Sequence, residues 1–319
     1  MKIKDFPKES FSLLPTPFHK LENISKELSI NLYCKRDDLT GFAFGGNKTR
    51  KLDYLIADAK NKKSDTLIAS GAVQSNFCRI AAAAGKVAGF DVHLILGGKK
   101  SETATGNLLL DHLFGSTIHF VDSSEWNDWE TQANRLMYDL EHRGKKVYCL
   151  PVGGSTPIGT LGYVNAFNEI LNDCKRINIT IDTIIHASSS SGTQAGLIVG
   201  KSISKWNGKI IGIGAAKNKT ILSEETYNLA SKTGEMLSVN INKRDVIVDD
   251  SFIGGAYGIK TQESENAINL FAEREGIVLD NVYTGKGAAG LIDYAKGGLF
   301  KPKENILFLH TGGNIELFA

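Results

Sequence analysis

Thr183-Ile184-Ile185-His186-Ala187-Ser188-Ser189-Ser190-Ser191-Gly192-Thr193-Gln194-Ala195-Gly196 reads as a strand, a turn of small residues and the opening of a helix, in that order. The β-branched run at its start has the length and composition of a buried strand. The segment running on through Leu197-Ile198-Val199-Gly200 continues as helix. Small side chains at such a junction let backbone N–H groups converge at the positive end of the helix dipole, and the hydroxyls add further donors. That makes a cup suited to a phosphate. Taken alone, the same residues also describe a serine-rich surface turn. They do not form a nucleotide P-loop: only three residues separate Gly196 from Gly200 before Lys201, where that motif needs four, and no GxGxxG follows a strand.

The strand–helix pair recurs along the chain. Strand-like runs fall at 66–69, 92–96, 117–121, 147–150, 210–213 and 306–309, besides the one quoted. Helical segments are expected at 77–87, 126–142, 164–171, 193–203, 264–275 and 288–295. Alternation of this kind gives an α/β fold with parallel sheets covered by helices on both faces. The glycine-rich stretches at Gly45-Gly46 and Pro151-Val152-Gly153-Gly154-Ser155 are candidate boundaries. They suggest a chain that enters one domain, builds a second and returns.

The 319 residues suffice for two domains or one large α/β unit. With 42% hydrophobic and 23% charged residues the composition is that of an ordinary globular protein. A net charge of +2 gives no reason to expect nucleic acid or an anionic membrane as partner. The segment Met1-Lys2-Ile3-Lys4-Asp5-Phe6-Pro7 lacks the apolar centre of a signal peptide, and no apolar run suggests a membrane span. Cys34, Cys78, Cys149 and Cys174 are scattered, as expected of reduced, buried cysteines in a cytoplasmic protein. The seven histidines show no metal-binding spacing, so no metal is expected.

Three further segments could carry chemistry. Gly45-Gly46-Asn47-Lys48-Thr49-Arg50-Lys51 leads into the amphipathic run Leu52-Asp53-Tyr54-Leu55-Ile56, with Lys48 and Lys51 on one helix face. Two ammonium groups held that close disfavour each other's charge, which eases release of a neutral amine for reaction with an aldehyde. By themselves these residues also fit a solvated basic helix start. In Gly71-Ala72-Val73-Gln74-Ser75-Asn76-Phe77-Cys78-Arg79, Ser75 or Asn76 can cap a helix, and the same groups could bind a substrate carboxylate. In Ala256-Tyr257-Gly258 and Val282-Tyr283-Thr284-Gly285-Lys286-Gly287 the aromatics could present flat rings to a heterocycle, or simply pack half-buried.

Together the segments resemble the pyridoxal-phosphate enzymes of the tryptophan-synthase-β type (fold-type II). More narrowly, they resemble the group containing 1-aminocyclopropane-1-carboxylate deaminase and D-cysteine desulfhydrase. The resemblance runs from Leu14-Pro15-Thr16-Pro17 through Lys35-Arg36-Asp37-Asp38, Phe44-Gly45-Gly46-Asn47-Lys48-Thr49-Arg50-Lys51-Leu52 and Gln74-Ser75-Asn76. It continues through Gly192-Thr193-Gln194-Ala195-Gly196 and Tyr283-Thr284-Gly285-Lys286 to His310-Thr311-Gly312-Gly313. It implies two open, twisted, mostly parallel sheets flanked by helices. A larger cofactor-binding domain would take 1–50 with 161–319, and a smaller inserted domain 51–160.

It also implies pyridoxal 5'-phosphate as cofactor, a small amino acid as substrate and a homodimer. Lys48 would hold the cofactor and later remove the substrate α-proton, and Lys51 would stay charged beside the phosphate. Ser190, Ser191, Gly192 and Thr193 would form the cup, with Ser191 standing where related sequences often have glycine. Asn76 would bond the cofactor's phenolic oxygen, Tyr283 would stack on its ring, and Ser75, Asn76, Phe77, Tyr257 and Thr311 would meet the substrate. Ring-opening deaminases of the group carry Glu after the tyrosine and Leu before the final glycine pair; here these are Thr284 and Thr311. A hydroxyl at the ring nitrogen makes a weaker electron sink than a carboxylate does. Elimination of a thiolate tolerates that better than opening a carbon ring, so the expected reaction is β-elimination of D-cysteine. Ring-opening deamination, elimination of sulfite from cysteate, and a non-catalytic cofactor binder are the alternatives.

Overall fold

The computed structural model describes all residues except Met1, Ser101, Ala256 and Pro302, so Ala256 of the Ala256-Tyr257-Gly258 motif and Met1 lie outside the described residues. The chain opens with β1 (Phe18–Lys20), α1 (Glu22–Leu28), β2 (Asn31–Arg36) and α2 (Asn47–Asn61). It continues with β3 (Thr66–Ala72), α3 (Asn76–Val87), β4 (Asp91–Gly97), α4 (Gly106–Leu113), β5 (Thr117–Val121), α5 (Trp126–His142) and β6 (Val147–Leu150). After α6 (Pro157–Arg176) come β7 (Thr183–Ser188), α7 (Gly192–Ser204), β8 (Lys209–Gly214), α8 (Lys219–Leu237) and β9 (Ile247–Asp249). The last elements are α9 (Gln262–Glu275), α10 (Thr284–Lys296) and β10 (Asn305–His310).

Two sheets result, as the alternation of elements implied. One is six-stranded in the order β1-β2-β10-β7-β8-β9, the other four-stranded in the order β5-β4-β3-β6. β1 pairs antiparallel with β2, and the other pairings are parallel. The alternation of side chains along each strand explains the covering helices. On β10, Leu307 and Leu309 enter a core with residues of α6 and α7, while Ile306 and Phe308 enter another with α9 and α10. On the smaller sheet, Leu67 and Leu94 pack with α2 and α3, and Ile68 and Ile95 with α5. No helix among the described residues is long and apolar enough to cross a membrane.

The helix α2 is the strut between the two sheets. Leu52, Leu55, Ile56 and Ala59 belong to the core of the smaller sheet. Its opposite side is tied to the larger sheet's helices by a buried ion network. Arg50 is held bidentately by Asp37 (2.8 Å for both Nε and Nη2) and also by Glu169 (2.9 and 3.0 Å). Lys35 contacts Glu169 and Asp173, each at 2.6 Å. Burial alone would raise the Glu169 carboxyl, but the bonds and charges of Arg50 and Lys35 hold it at about 2. Such a network orients more than it stabilises, because desolvating the ions offsets most of their attraction. Here it fixes the rotation of α2 and therefore the direction of Lys48 and Lys51.

Candidate active site

A cleft of about 820 Å³ opens where the carboxyl ends of β3, β7 and β10 approach one another. Ligands of open α/β sheets bind outside strand carboxyl ends, where successive connections diverge. Ten expected site residues line it: Lys48, Ser75, Asn76, Phe77, Ser190, Ser191, Thr193, Tyr257, Tyr283 and Thr311. Lys51, Gly192 and Thr284 sit behind the wall rather than on it.

Lys48 lies in the first turn of α2, which starts at Asn47 after two glycines at positive φ, Gly45 (69°) and Gly46 (115°). The Asn47 N–H donates to the Thr311 carbonyl (2.8 Å), joining the lysine turn to the end of β10. Lys48 Nζ donates to Asn47 Oδ1 (3.1 Å). Burial lowers its pKa to about 8, against the opposing charges of Glu316 and Asp280. Desolvation, and not its lysine neighbour, is what lowers Lys48. The mutual effect falls on Lys51, pushed well down by burial and then by the charge of Lys48. Lys51 Nζ donates to the Gly153 carbonyl (3.0 Å). A Cβ added at Gly192 would lie 2.7 Å from that nitrogen, so the amine stands directly behind the first residue of α7. The charge expected on Lys51 is therefore disfavoured without an anion in the cup. An anion in the cup would restore its charge.

The cup follows β7. Ser191 has φ 67°, a left-handed conformation that glycine adopts without strain. The Thr193 hydroxyl accepts from Asn47 Nδ2 (3.0 Å), leaving its own hydrogen to donate. Ser155 Oγ donates to Ser190 Oγ (3.0 Å). Buried hydroxyls at a helix N-terminus with a lysine behind them are a donor set for a phosphate.

On the opposite wall Ser75 caps α3, accepting from the Cys78 N–H (3.2 Å), and also faces the cleft, so capping and lining coincide in one residue. The Tyr257 and Tyr283 hydroxyls share a hydrogen bond of 2.6 Å, with ring planes tilted by 57°. Burial raises both phenols, so they remain protonated donors at neutral pH. Thr284 donates its hydroxyl to Asp280 and accepts from the Asp280 N–H (2.9 Å). The same carboxylate accepts from the backbone N–H groups of Val282, Tyr283 and Thr284. Three features were not legible beforehand. They are Asp280, the Arg79–Asn107 pair behind Asn76, and Glu316, whose carboxyl accepts from Asn76 Nδ2 at 2.7 Å. They lie in stretches with no pattern of their own, although Arg79 shares the quoted Gly71-to-Arg79 segment.

These groups suit a phosphorylated aldehyde: a half-buried, readily deprotonated amine, a hydroxyl-lined helix terminus and two aromatic hydroxyls share one cleft. A family model described as "Pyridoxal-phosphate dependent enzyme" matches residues 10–312. The chain belongs to this family. Its cofactor is accordingly pyridoxal phosphate. A relative from Pyrococcus furiosus named "Putative 1-aminocyclopropane-1-carboxylate deaminase" is 42% identical over 312 residues, covering 98% of this chain and 93% of that protein. A Pyrococcus abyssi protein of the same name is 40% identical over 314 residues, with the same coverage. A crystal structure described as "the ACC deaminase homologue" is similar with a TM-score of 0.93 and 39% identity, covering 99% of this chain and 94% of that one. A threonine deaminase structure, at 17% identity and a TM-score of 0.64, shares the fold.

Proposed function

We propose that this family member is a lyase acting on a small amino acid, with D-cysteine as substrate and pyruvate, hydrogen sulfide and ammonia as products. The bound cofactor supplies an electron sink for negative charge at the substrate α-carbon. Lys48 would hold it, with Ser190, Ser191, Gly192 and Thr193 around its phosphate and Lys51 behind them. Asn76 would donate to its phenolic oxygen, and Tyr283 would cover its ring. Ser75, Asn76, Phe77, Tyr257 and Thr311 would orient the substrate, Ser75 taking the carboxylate.

The Lys48 amine, basic near neutrality because it is buried, is suited to take the substrate α-proton. Hydrosulfide then leaves the β-carbon with the C–S bonding pair. Tyr257 and Tyr283 spend one hydroxyl hydrogen on the bond between them, and the other would be left to donate to the substrate.

The observation that carries the thiol-eliminating choice is Thr284. Its hydroxyl is already engaged with Asp280, so a neutral, committed group stands where ring-opening relatives carry glutamate. A weakly stabilised carbanion favours a reaction whose leaving group departs readily. The second reading, ring-opening deamination of 1-aminocyclopropane-1-carboxylate, is favoured by the names of the relatives. Purified protein supplied with D-cysteine, L-cysteine, cysteate and the cyclopropane amino acid separates the two. Sulfide and pyruvate from D-cysteine are expected, whereas dominant 2-oxobutyrate from the cyclopropane substrate overturns the proposal. A protein that stays colourless with added pyridoxal phosphate rejects both. The same reading takes the enzyme as a cytoplasmic homodimer, with 51–160 as an inserted domain; sedimentation checks the assembly.

A further inference from the structure

Thr311 is followed by Gly312 (φ 92°) and Gly313 (φ 106°), which carry the chain from β10 back across the site. A Cβ at Gly312 would lie 2.7 Å from the Cα of Gly46, and one at Gly313 2.7 Å from the carboxyl carbon of Asp280. Only glycines allow this route, and it delivers Glu316 to Asn76. The Asn76 amide is then almost fully committed. Its Oδ1 accepts from Arg79 Nη1 (2.9 Å) and Asn107 Nδ2 (3.1 Å), which fixes the flip of the amide. One hydrogen of Nδ2 goes to Glu316 Oε1 at 2.7 Å. The second is the only capacity left, on a side chain that lines the cleft. Glu316 Oε2 is enclosed and has no hydrogen-bond partner among the described residues, although the residue as a whole is partly exposed.

We propose that Glu316 is a positioning residue of the Lys48 site: it commits one hydrogen of the Asn76 amide, leaves the other for the ligand's anionic oxygen, and its carboxyl acts electrostatically on the Lys48 amine. The ligand's identity rests on the function proposed above; the link between Glu316 and Lys48 does not. The groups acting on the Glu316 carboxyl are Asp280, Arg79, Asn76 and Lys48, and its own charge reaches Tyr257 and Tyr283. Burial and the like charge of Asp280 favour its neutral form, while Arg79, Asn76 and Lys48 favour the carboxylate. Glu316 in turn raises Lys48. Each group therefore favours the charged form of the other, and the two titrate as a coupled pair.

Two variants of the full-length chain separate the parts. Glu316→Gln keeps an oxygen for Asn76 but abolishes the charge. Competitive acetylation across a pH series, read by mass spectrometry on the Lys48 peptide, should show its midpoint falling by about 1 unit from about 8, which leaves about fivefold more neutral amine at pH 7. Glu316→Ala also removes the acceptor, so pyridoxal phosphate titrated by its visible absorbance should bind about tenfold more weakly, while Glu316→Gln binds as the parent does. Identical Lys48 midpoints in parent and Glu316→Gln overturn the proposal, as does unchanged cofactor affinity in a folded Glu316→Ala protein. If Glu316→Ala does not fold, the Lys48 midpoint of Glu316→Gln decides. A parent protein that shows no visible band with cofactor rejects the functional reading instead, and the acetylation result still decides the role of Glu316.

Discussion

Gly162 sits where α6 crosses α2, and replacing it with alanine should disable the site without touching any residue that lines it. The added Cβ would run into the Arg50 carbonyl oxygen, and would lie 2.6 Å from that carbonyl carbon and 2.9 Å from the Lys51 nitrogen. These are backbone atoms, so no change of rotamer relieves the contact. Ordinary van der Waals contact begins at 3.4 Å. The helices must therefore part by about 1 Å in a close-packed interior. Overpacking of this kind destabilises by about 1–3 kcal/mol. The ion network holds Arg50 from the other side, so the displacement passes to the turn that carries Lys48. Misplacing a reacting group by about 1 Å lowers the rate about 100-fold, which is about 2.7 kcal/mol of barrier. Gly162→Ala should show kcat/KM for pyruvate formation reduced by roughly that factor, slower growth of the cofactor's visible band and a lower melting temperature. Parental kinetics together with a parental melting curve would refute the reasoning that α2 is a rigid mount for the lysine.

Gly192→Ala places a methyl 2.7 Å from Lys51 Nζ and 2.9 Å from Ser155 Oγ, behind the cup. Spectroscopic titration should show pyridoxal phosphate binding weakened about tenfold or more, whereas unchanged affinity would remove Lys51 from the phosphate site. The pH dependence of stability follows from Glu169. Its folded-state pKa is depressed to about 2 from 4.5, so its contribution is fully present above the ordinary value and is lost as pH falls from 4.5 through about 2. Melting temperature should drop across that window, and Glu169→Gln should be less stable at neutral pH with a shallower drop. An identical acid profile in the two proteins would show that the network carries no such linkage.

The strand–helix alternation was open to reading because apolar residues drive it. The runs at 117–121 and 147–150 coincide with β5 and β6, and the segment at 126–142 with α5. β2 was overlooked because half of Asn31-Leu32-Tyr33-Cys34-Lys35-Arg36 is polar. Lys35 is nevertheless fully buried, matched to Glu169 and Asp173 from a helix more than a hundred residues away, and that pairing leaves no local pattern. α8 was missed for a related reason: its buried positions include Thr226, Ala230, Thr233 and Gly234, which give a weak apolar stripe. Lys48 and the serine cup could be singled out because their backbone setting requires glycine and small residues nearby. Glu316 and Asp280 could not, since a lone carboxylate reveals its neighbours only after folding.

The closed bond between Thr284 and Asp280 has an evolutionary corollary. A glutamate at 284 would enter a fully buried place where Asp280 already collects three backbone N–H groups and a hydroxyl. Two carboxylates sharing that space cannot both ionise readily, so one would be driven to its neutral form. Position 284 is thus epistatic to position 280. Under the function proposed above, Thr284→Glu is expected to perturb the ionisation of Asp280 as well, so the two positions have to be read together.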